Sequence, residues 1–474
     1  MGAIVTLCML ATPAKATDVS IKPKKDVYTI ALDSTYAPFE FQDSNGKYVG
    51  IDVDLMNAIS KMYGFKINKV FPGFQAAVDQ VQAGQADGII AGMSITDARK
   101  DVFDFSEPYY ETGIQIAVLN NNVSIQKLED LKGQRIGVKN GTTSQQWLID
   151  NQDKYGYSIK TFDDGAGMYD ALEIKDVVAN MDDAPVLNYA IAQGRTFKTP
   201  FDKIPAGNYG FAVKKGQNPE LIAMFNAGLA KLKASGEYDR ILAKYMGGSE
   251  AAKKQIDEST FSGLISNNWK QLLDGLGKTI AMALISFVLA MILGTLIGLL
   301  SVAPSKTARI FSTFYVDIIR GLPLMVLAFF LFYALPQALP LLKLSDLVAG
   351  ILALTLNASA YIAEIVRGGI NAVPTGQMEA SRSLGLSYNK TMQKIILPQA
   401  IKIMVPSFVN QFVISLKDTT IISVLGVIEL LQTGKIIVAR NFQSFKVYLI
   451  IGIMYLVVIT ALTKFSKVLE KKVA

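Results

Sequence analysis

From Tyr28 onward, short runs rich in β-branched and aromatic residues alternate with segments whose apolar residues recur every three to four positions. The pattern predicts strands at 28–32, 88–91, 115–119 and 135–138, a helix at about 53–63, and helices with a turn at Gly236 between 214 and 245. Such alternation is characteristic of α/β lobes with helices packed on sheets. Gly247-Gly248-Ser249 then opens a polar, charge-rich stretch, read as a linker over 249–262. Beyond it the pattern changes to long uncharged runs at 280–302, 321–342, 347–363 and 447–463. The first alone would extend about 34 Å as a helix, enough to cross the hydrocarbon core of a bilayer. A further apolar stretch, 403–428, is interrupted by Lys417 and Asp418, which predicts a split span and five crossings in all.

The charge balance follows the same division. The net charge of +7 combines a first half, residues 1–260, with 28 Lys/Arg against 32 Asp/Glu, and a second half with 19 against 8. Sparse charges that punctuate apolar runs read as a membrane domain rather than a nucleic-acid binder. The chain has no histidine and one cysteine, Cys8, which excludes imidazole metal sites, Ser/His/Asp and Cys/His catalysis, and intrachain disulfides. Gly275 to Thr279 resembles the end of a phosphate-binding loop, but Leu272 stands where its first glycine is required. No cofactor is expected, and any ATP that drives the protein is bound by another chain.

Residues 2–12 form a short apolar run that ends in Ala14-Lys15-Ala16, the kind of site a signal peptidase cuts, so 1–16 is read as a signal peptide. With residues 17–248 outside, the loops and tail on the inner side carry 11 Lys/Arg, against Lys343, Lys435, Arg440 and Lys446 on the outer side. That asymmetry agrees with the positive-inside rule and puts the C-terminus in the cytoplasm.

Three stretches of the first half resemble the polar amino-acid-binding proteins of ABC importers: Asp33-Ser-Thr-Tyr-Ala-Pro-Phe-Glu-Phe41 with Gly50-Ile-Asp-Val-Asp-Leu55, Ala91-Gly-Met-Ser-Ile-Thr-Asp-Ala-Arg99 with Phe103-Asp-Phe-Ser-Glu-Pro-Tyr-Tyr110, and Gly137-Val-Lys-Asn-Gly-Thr-Thr143. The resemblance implies a two-lobed, type II periplasmic-binding-protein-like fold, with lobe 1 at about 27–112 and 206–247 and lobe 2 at about 113–205, closing on a hinge. A buried zwitterion needs a fixed cation for its carboxylate and an anion for its ammonium. Arg99, with Ser94 and amides near Thr143, suits the carboxylate. The resemblance places Asp183 at the ammonium, helped by the Gly92 carbonyl. Tyr36 and Phe74, or Phe71 in its place, would pack on the ligand stem. Lys139, Ala91 and Gly92 match glutamine binders, with Lys139 donating to the side-chain amide and Asp33 accepting from it. Glutamate and asparagine are close alternatives. Asp182 stands where glutamine binders have histidine; if it neutralised Lys139, arginine would become admissible.

In the second half, Arg320-Gly-Leu-Pro-Leu324 and Glu379-Ala-Ser-Arg-Ser-Leu-Gly385, followed by Ile396-Leu-Pro398, resemble the permease subunits of the same importers. The resemblance implies an all-α, type I importer membrane domain over 263–474, with an ATPase-coupling loop at about 374–398. In that loop a short helix, with Glu379 near its start and Gly385 at its end, would present Ser381, Arg382 and Leu384 beside Ala380 to an ATPase dimer. Lys417 and Asp418 inside a span are costly unless they are paired or line a polar path, so with Asn357, Tyr361 and Glu364 they form a candidate transmembrane substrate site. The expected assembly is a homodimeric permease that carries its own binding domains. A tethered receptor fits the habit of Gram-positive bacteria in this family. A ligand-gated receptor or channel, and a secreted enzyme on the same lobes, are the readings from other classes.

Overall fold

The computed structural model describes residues 21–43, 45–246, 258, 260–339 and 342–473. The predicted signal peptide and most of the predicted linker lie outside the described residues. In the first lobe the strands Lys66–Val70, Val27–Ala31, Gly88–Ile89, Ala212–Lys214 and Phe103–Phe105 lie side by side in that order. The first three are parallel, and Ala212–Lys214 runs antiparallel to both of its neighbours. Helix Ile51–Tyr63 covers this sheet because Ile51, Leu55, Met56 and Ile59 fall on one buried face. Left-handed Gly64 ends it.

The second sheet orders Phe197–Lys198, Tyr110–Leu119, Ala179–Asp183, Arg135–Lys139 and Ser158–Phe162. Two strands carry the chain between the lobes: Tyr110–Leu119 leads out, and Ile204–Tyr209 returns antiparallel to it with Tyr209 opposite Tyr110. Each lobe has its own core, around Phe39, Phe211 and Phe225 in the first and Ile136, Val138 and Leu148 in the second. The cleft between them is therefore lined by loops on rigid supports.

Four helices are long and apolar enough to cross a membrane: Phe261–Ser301, Asp346–Asn371, Tyr388–Leu425 and Ser444–Lys464. Large side chains such as Ile292, Phe314 and Leu456 are more than half exposed, as lipid-facing residues are. Gly294 and Gly298 allow Phe261–Ser301 and Asp346–Asn371 to touch closely. A Cβ at either would lie 2.5 Å from the Ser359 carbonyl oxygen or 2.8 Å from that of Ala363.

Three expectations need correction. Apolar stretch 403–428 is not split at Lys417 and Asp418, because helix Leu397–Ile422 runs unbroken through both. A helix satisfies its backbone internally whatever its side chains, so two charges do not stop it. Run 321–342 is not a straight span, since Lys306–Gly321 and Leu324–Ala338 meet at 100°, with Pro323 preceding the second helix. The first membrane helix also begins at Phe261, capped by the Thr260 hydroxyl, and so starts inside the predicted linker.

Candidate ligand-binding site

The cleft is closed, and its contacts join the lobes at four points. The Lys139 ammonium donates to the Asp33 carboxylate, and both are buried. Arg99 Nη2 donates to the Gly141 carbonyl at 3.0 Å and Nη1 to that of Ser94 at 2.8 Å. The Ser94 and Thr143 hydroxyls lie 3.4 Å apart. The Tyr36 hydroxyl donates to Asp183 Oδ2.

One end of the cleft is cationic. Thr96 caps the short helix that carries Arg99, and the guanidinium lies 5.4 Å from the Phe74 ring centre. Across the cleft, helix Thr143–Tyr155 points its N-terminus at the same place, where the helix dipole favours an anion. Desolvation pulls the Arg99 guanidinium below its ordinary range, against the charge of Asp183, so an anion placed here gains a partner short of solvation.

Asp183 is the anionic counterpart. Tyr36 and Tyr209 both donate to its Oδ2, whereas its buried Oδ1 has no partner. Burial raises its pKa, and the two hydroxyls and Arg99 offset this only in part. A ligand ammonium would satisfy the orphan oxygen. Gly92 is fixed by geometry: its φ is +54°, and a Cβ there would sit 2.2 Å from Tyr36 Cε1. Its amide donates to Asp52 Oδ2 at 2.9 Å.

At the far end, burial works against the Lys139 charge, but Asp33, with the charges of Asp182 and Asp164 added, outweighs it and leaves the ammonium pKa raised. Asp182 does not neutralise this lysine by direct pairing. It accepts from the Tyr169 hydroxyl at 2.6 Å and the Asp183 amide at 2.8 Å, and desolvation, with Asp183 beside it, pushes it up to about 6. Phe74 is the aromatic beneath Arg99 and Lys139, whereas Phe71 stacks on Tyr48. The Ala91 methyl is packed in the cluster beneath the cleft.

Sequence reasoning gave several groups at the cleft no role. Tyr209 shares Asp183 with Tyr36 and lies in the return strand outside every motif. Beneath Gly92, Glu40 and Asp52 are fully buried neighbours, and both Glu40 oxygens and Asp52 Oδ1 lack donors. Desolvation raises Glu40 well above the carboxylate range and Asp52 to about 6, so Glu40 holds a proton that it gives to Asp52 as a hydrogen bond. The native state therefore keeps protons that the unfolded chain releases near pH ~4. Stability falls as pH rises from about 4 to 6 and beyond, by about 1.4 kcal/mol per unit for each retained proton. Glu40→Gln keeps a neutral donor for Asp52 and should flatten that fall when thermal unfolding is followed against pH. Parallel curves for variant and wild type would exclude the shared proton.

In the membrane half, Glu364 is paired with Arg367 at 2.7 Å and lies 3.8 Å from Arg320, whose guanidinium is 5.1 Å from the Tyr361 ring centre. Asn357 is buried on the same helix. Among the described residues no hydrogen bond or ion pair joins Lys417 or Asp418 to these groups or to each other. The five candidates thus form two separate sets, one of them engaged with arginines. In the predicted coupling loop, helix Thr375–Ser383 places Glu379 at its middle rather than its start, and Ser381 is buried rather than presented. Ala380, Arg382, Leu384 and left-handed Gly385 are exposed.

Residues 28–248 match the bacterial extracellular solute-binding proteins, family 3, and residues 290–474 match the binding-protein-dependent transport system inner membrane component. The chain belongs to this family of transport permeases and carries a solute-binding domain ahead of its multi-pass membrane domain. It is 34% identical over 209 residues to the "Probable glutamine ABC transporter permease protein GlnM" of Bacillus subtilis, which covers 44% of this chain and 96% of that protein. To the glutamine transport system permease protein GlnP of Escherichia coli it is 32% identical over 201 residues, 42% of this chain and 92% of that one. A crystal structure of Lactococcus lactis GlnP substrate binding domain 2 in open conformation is 57% identical, covering 48% of this chain and 97% of that chain, with a TM-score of 0.38.

Proposed function

We propose that the chain is the capture and translocation component of an amino acid ABC importer, that its substrate is L-glutamine, and that separate subunits hydrolyse the ATP. The array of Arg99, the Asp183 orphan oxygen and the Lys139–Asp33 pair across the cleft carries this reading. Arg99 and the helix N-terminus take the α-carboxylate, Asp183 with the Gly92 carbonyl takes the ammonium, and Tyr36 and Phe74 flank the stem. A carboxamide inserts between Lys139 and Asp33 as acceptor and donor without adding charge. An arginine side chain would have to displace Lys139 from Asp33 and leave an ammonium buried unpaired. The relatives named for glutamine transport support the same choice.

The binding domain rests on the loops assigned to the outer side, where Lys343 donates to the Gly84 carbonyl and Arg440 to that of Asp43. This supports an extracellular binding domain and an inner face at helix Thr375–Ser383. Lys417 is exposed on a membrane-crossing helix with no side-chain hydrogen bond or ion pair among the described residues, which supports a second copy of the chain, or a polar path between two copies, against that face.

Titration calorimetry of the full chain in lipid nanodiscs tests the substrate. Glutamine should bind more tightly than arginine by about 2–5 kcal/mol, the cost of an uncompensated buried charge. Tighter binding of arginine would overturn the assignment, and no response to any amino acid would overturn the importer reading.

A further inference from the structure

Helix Leu430–Asn441 of the membrane half ends between the two lobes of the binding domain. Arg440 is buried there, with Nη1 donating to the Asp43 carbonyl of lobe 1 at 2.7 Å. Its Nη2 donates to Glu258 Oε1 at 2.8 Å and to Asn268 Oδ1 at 2.6 Å. Asn441 adds a bond to Glu258 Oε2 at 2.7 Å. One guanidinium thus ties lobe 1, the segment that joins the two halves, and the first membrane helix.

Phe442 follows in the left-handed region at φ +56°, a conformation that an aromatic residue adopts only under tertiary constraint. The Arg195 guanidinium of lobe 2 lies 4.6 Å from its ring centre, and the Tyr169 ring centre is 6.5 Å away. With Ala439 it also lines a small pocket shared with Tyr36, Lys139, Tyr169 and Asp182. Tyr169 holds Asp182, and Asp182 adjoins Asp183, so the ring is two side chains from the proposed ammonium site.

We propose that Arg440, Asn441 and Phe442 form a docking pin by which the membrane domain reads lobe closure. Arg440 holds lobe 1 and Phe442 holds lobe 2. Because the lobes swing about Tyr110–Leu119 and Ile204–Tyr209, both contacts are made together only when the cleft is shut. A ligand that shuts the cleft therefore strengthens docking, and docking favours the shut cleft by the same factor. These are positioning residues: they touch the lobes, and the ligand is held by others. Only the identity of the ligand rests on the glutamine reading.

Hydrogen–deuterium exchange on the full chain, with and without glutamine, tests the pin. In the wild type glutamine should slow exchange at 41–43, at 165–173 and at 138–145. Phe442→Ala should erase the first two effects, with exchange at least about fivefold faster, as the lower bound for allosteric coupling implies. The third effect should remain. Phe442→Trp should restore the docking response, and Arg440→Lys should not, because an ammonium cannot fork among three acceptors. Persistent protection of 41–43 and 165–173 in Phe442→Ala overturns the pin. Loss of protection at 138–145 also overturns it, by making Phe442 part of the ligand site. If glutamine changes nothing in the wild type, the ligand reading fails and the pin is judged on ligand-free exchange: faster rates at both docking segments in Phe442→Ala support it, and unchanged rates overturn it.

Discussion

Arg99→Ala is expected to weaken glutamine binding by about 3–5 kcal/mol, two to three and a half orders of magnitude in Kd, because it leaves a buried carboxylate without its cation. The helix N-terminus of Thr143–Tyr155 remains but offers only partial charge. The variant also loses the bond from Nη2 to the Gly141 carbonyl, one of four ties that hold the cleft closed. Arg99→Lys should recover only part of the affinity, since an ammonium cannot make two parallel bonds to a carboxylate or lie flat on Phe74 as a guanidinium does. Calorimetry on the full chain decides the matter: a Kd for Arg99→Ala within about tenfold of wild type, or 1.4 kcal/mol, would place the carboxylate elsewhere.

What the sequence could group around this candidate site was what is local. Asp33 and Tyr36 lie on one loop, Ser94 and Arg99 around one short helix, Lys139 and Thr143 around one helix N-terminus, so their spacing alone groups them. Lobe architecture was legible for the same reason, because alternation of strands and helices is written in periods of two and 3.6. Tyr209 and Tyr169 were not legible: their hydroxyls matter only because tertiary packing brings them to Asp183 and Asp182. Phe442 lies more than 240 residues along the chain from the Tyr169 and Arg195 that it touches, and no local pattern encodes that contact. The direct partner of Lys139 was also undecidable from sequence, where Asp33 and Asp182 are both available carboxylates; the structure pairs it with Asp33. In the membrane half, hydropathy marked the spans but not the 100° bend at Gly321 to Pro323, because composition does not report direction.

Leu384→Asp should cut transport about thirtyfold and spare capture. Helix Thr375–Ser383 buries Ser381, whose hydroxyl donates to the Gln377 carbonyl at 2.7 Å, and leaves Leu384 84% exposed at its end. A large aliphatic side chain held in solvent beside Glu379 and Arg382 has the makeup of an interface anchor. The loop is also rigidly mounted. Arg382 Nη1 donates to the Leu386 carbonyl at 3.2 Å, Tyr388 to the Val302 carbonyl at 3.1 Å, and Met392 and Ile396 pack with Ile370 and Val373. Movement imposed at Leu384 would therefore reach the ends of three membrane-crossing helices rather than dissipate in a flexible connection. A buried aspartate in place of that anchor should cost at least about 2 kcal/mol of docking, roughly thirtyfold. In proteoliposomes supplied with the ATPase subunits, ATP-driven glutamine uptake should fall by that factor, while glutamine affinity and thermal unfolding match wild type. Undiminished uptake would remove this helix from the coupling path, and a parallel loss of affinity would show that Leu384 supports the fold rather than the transmission of force.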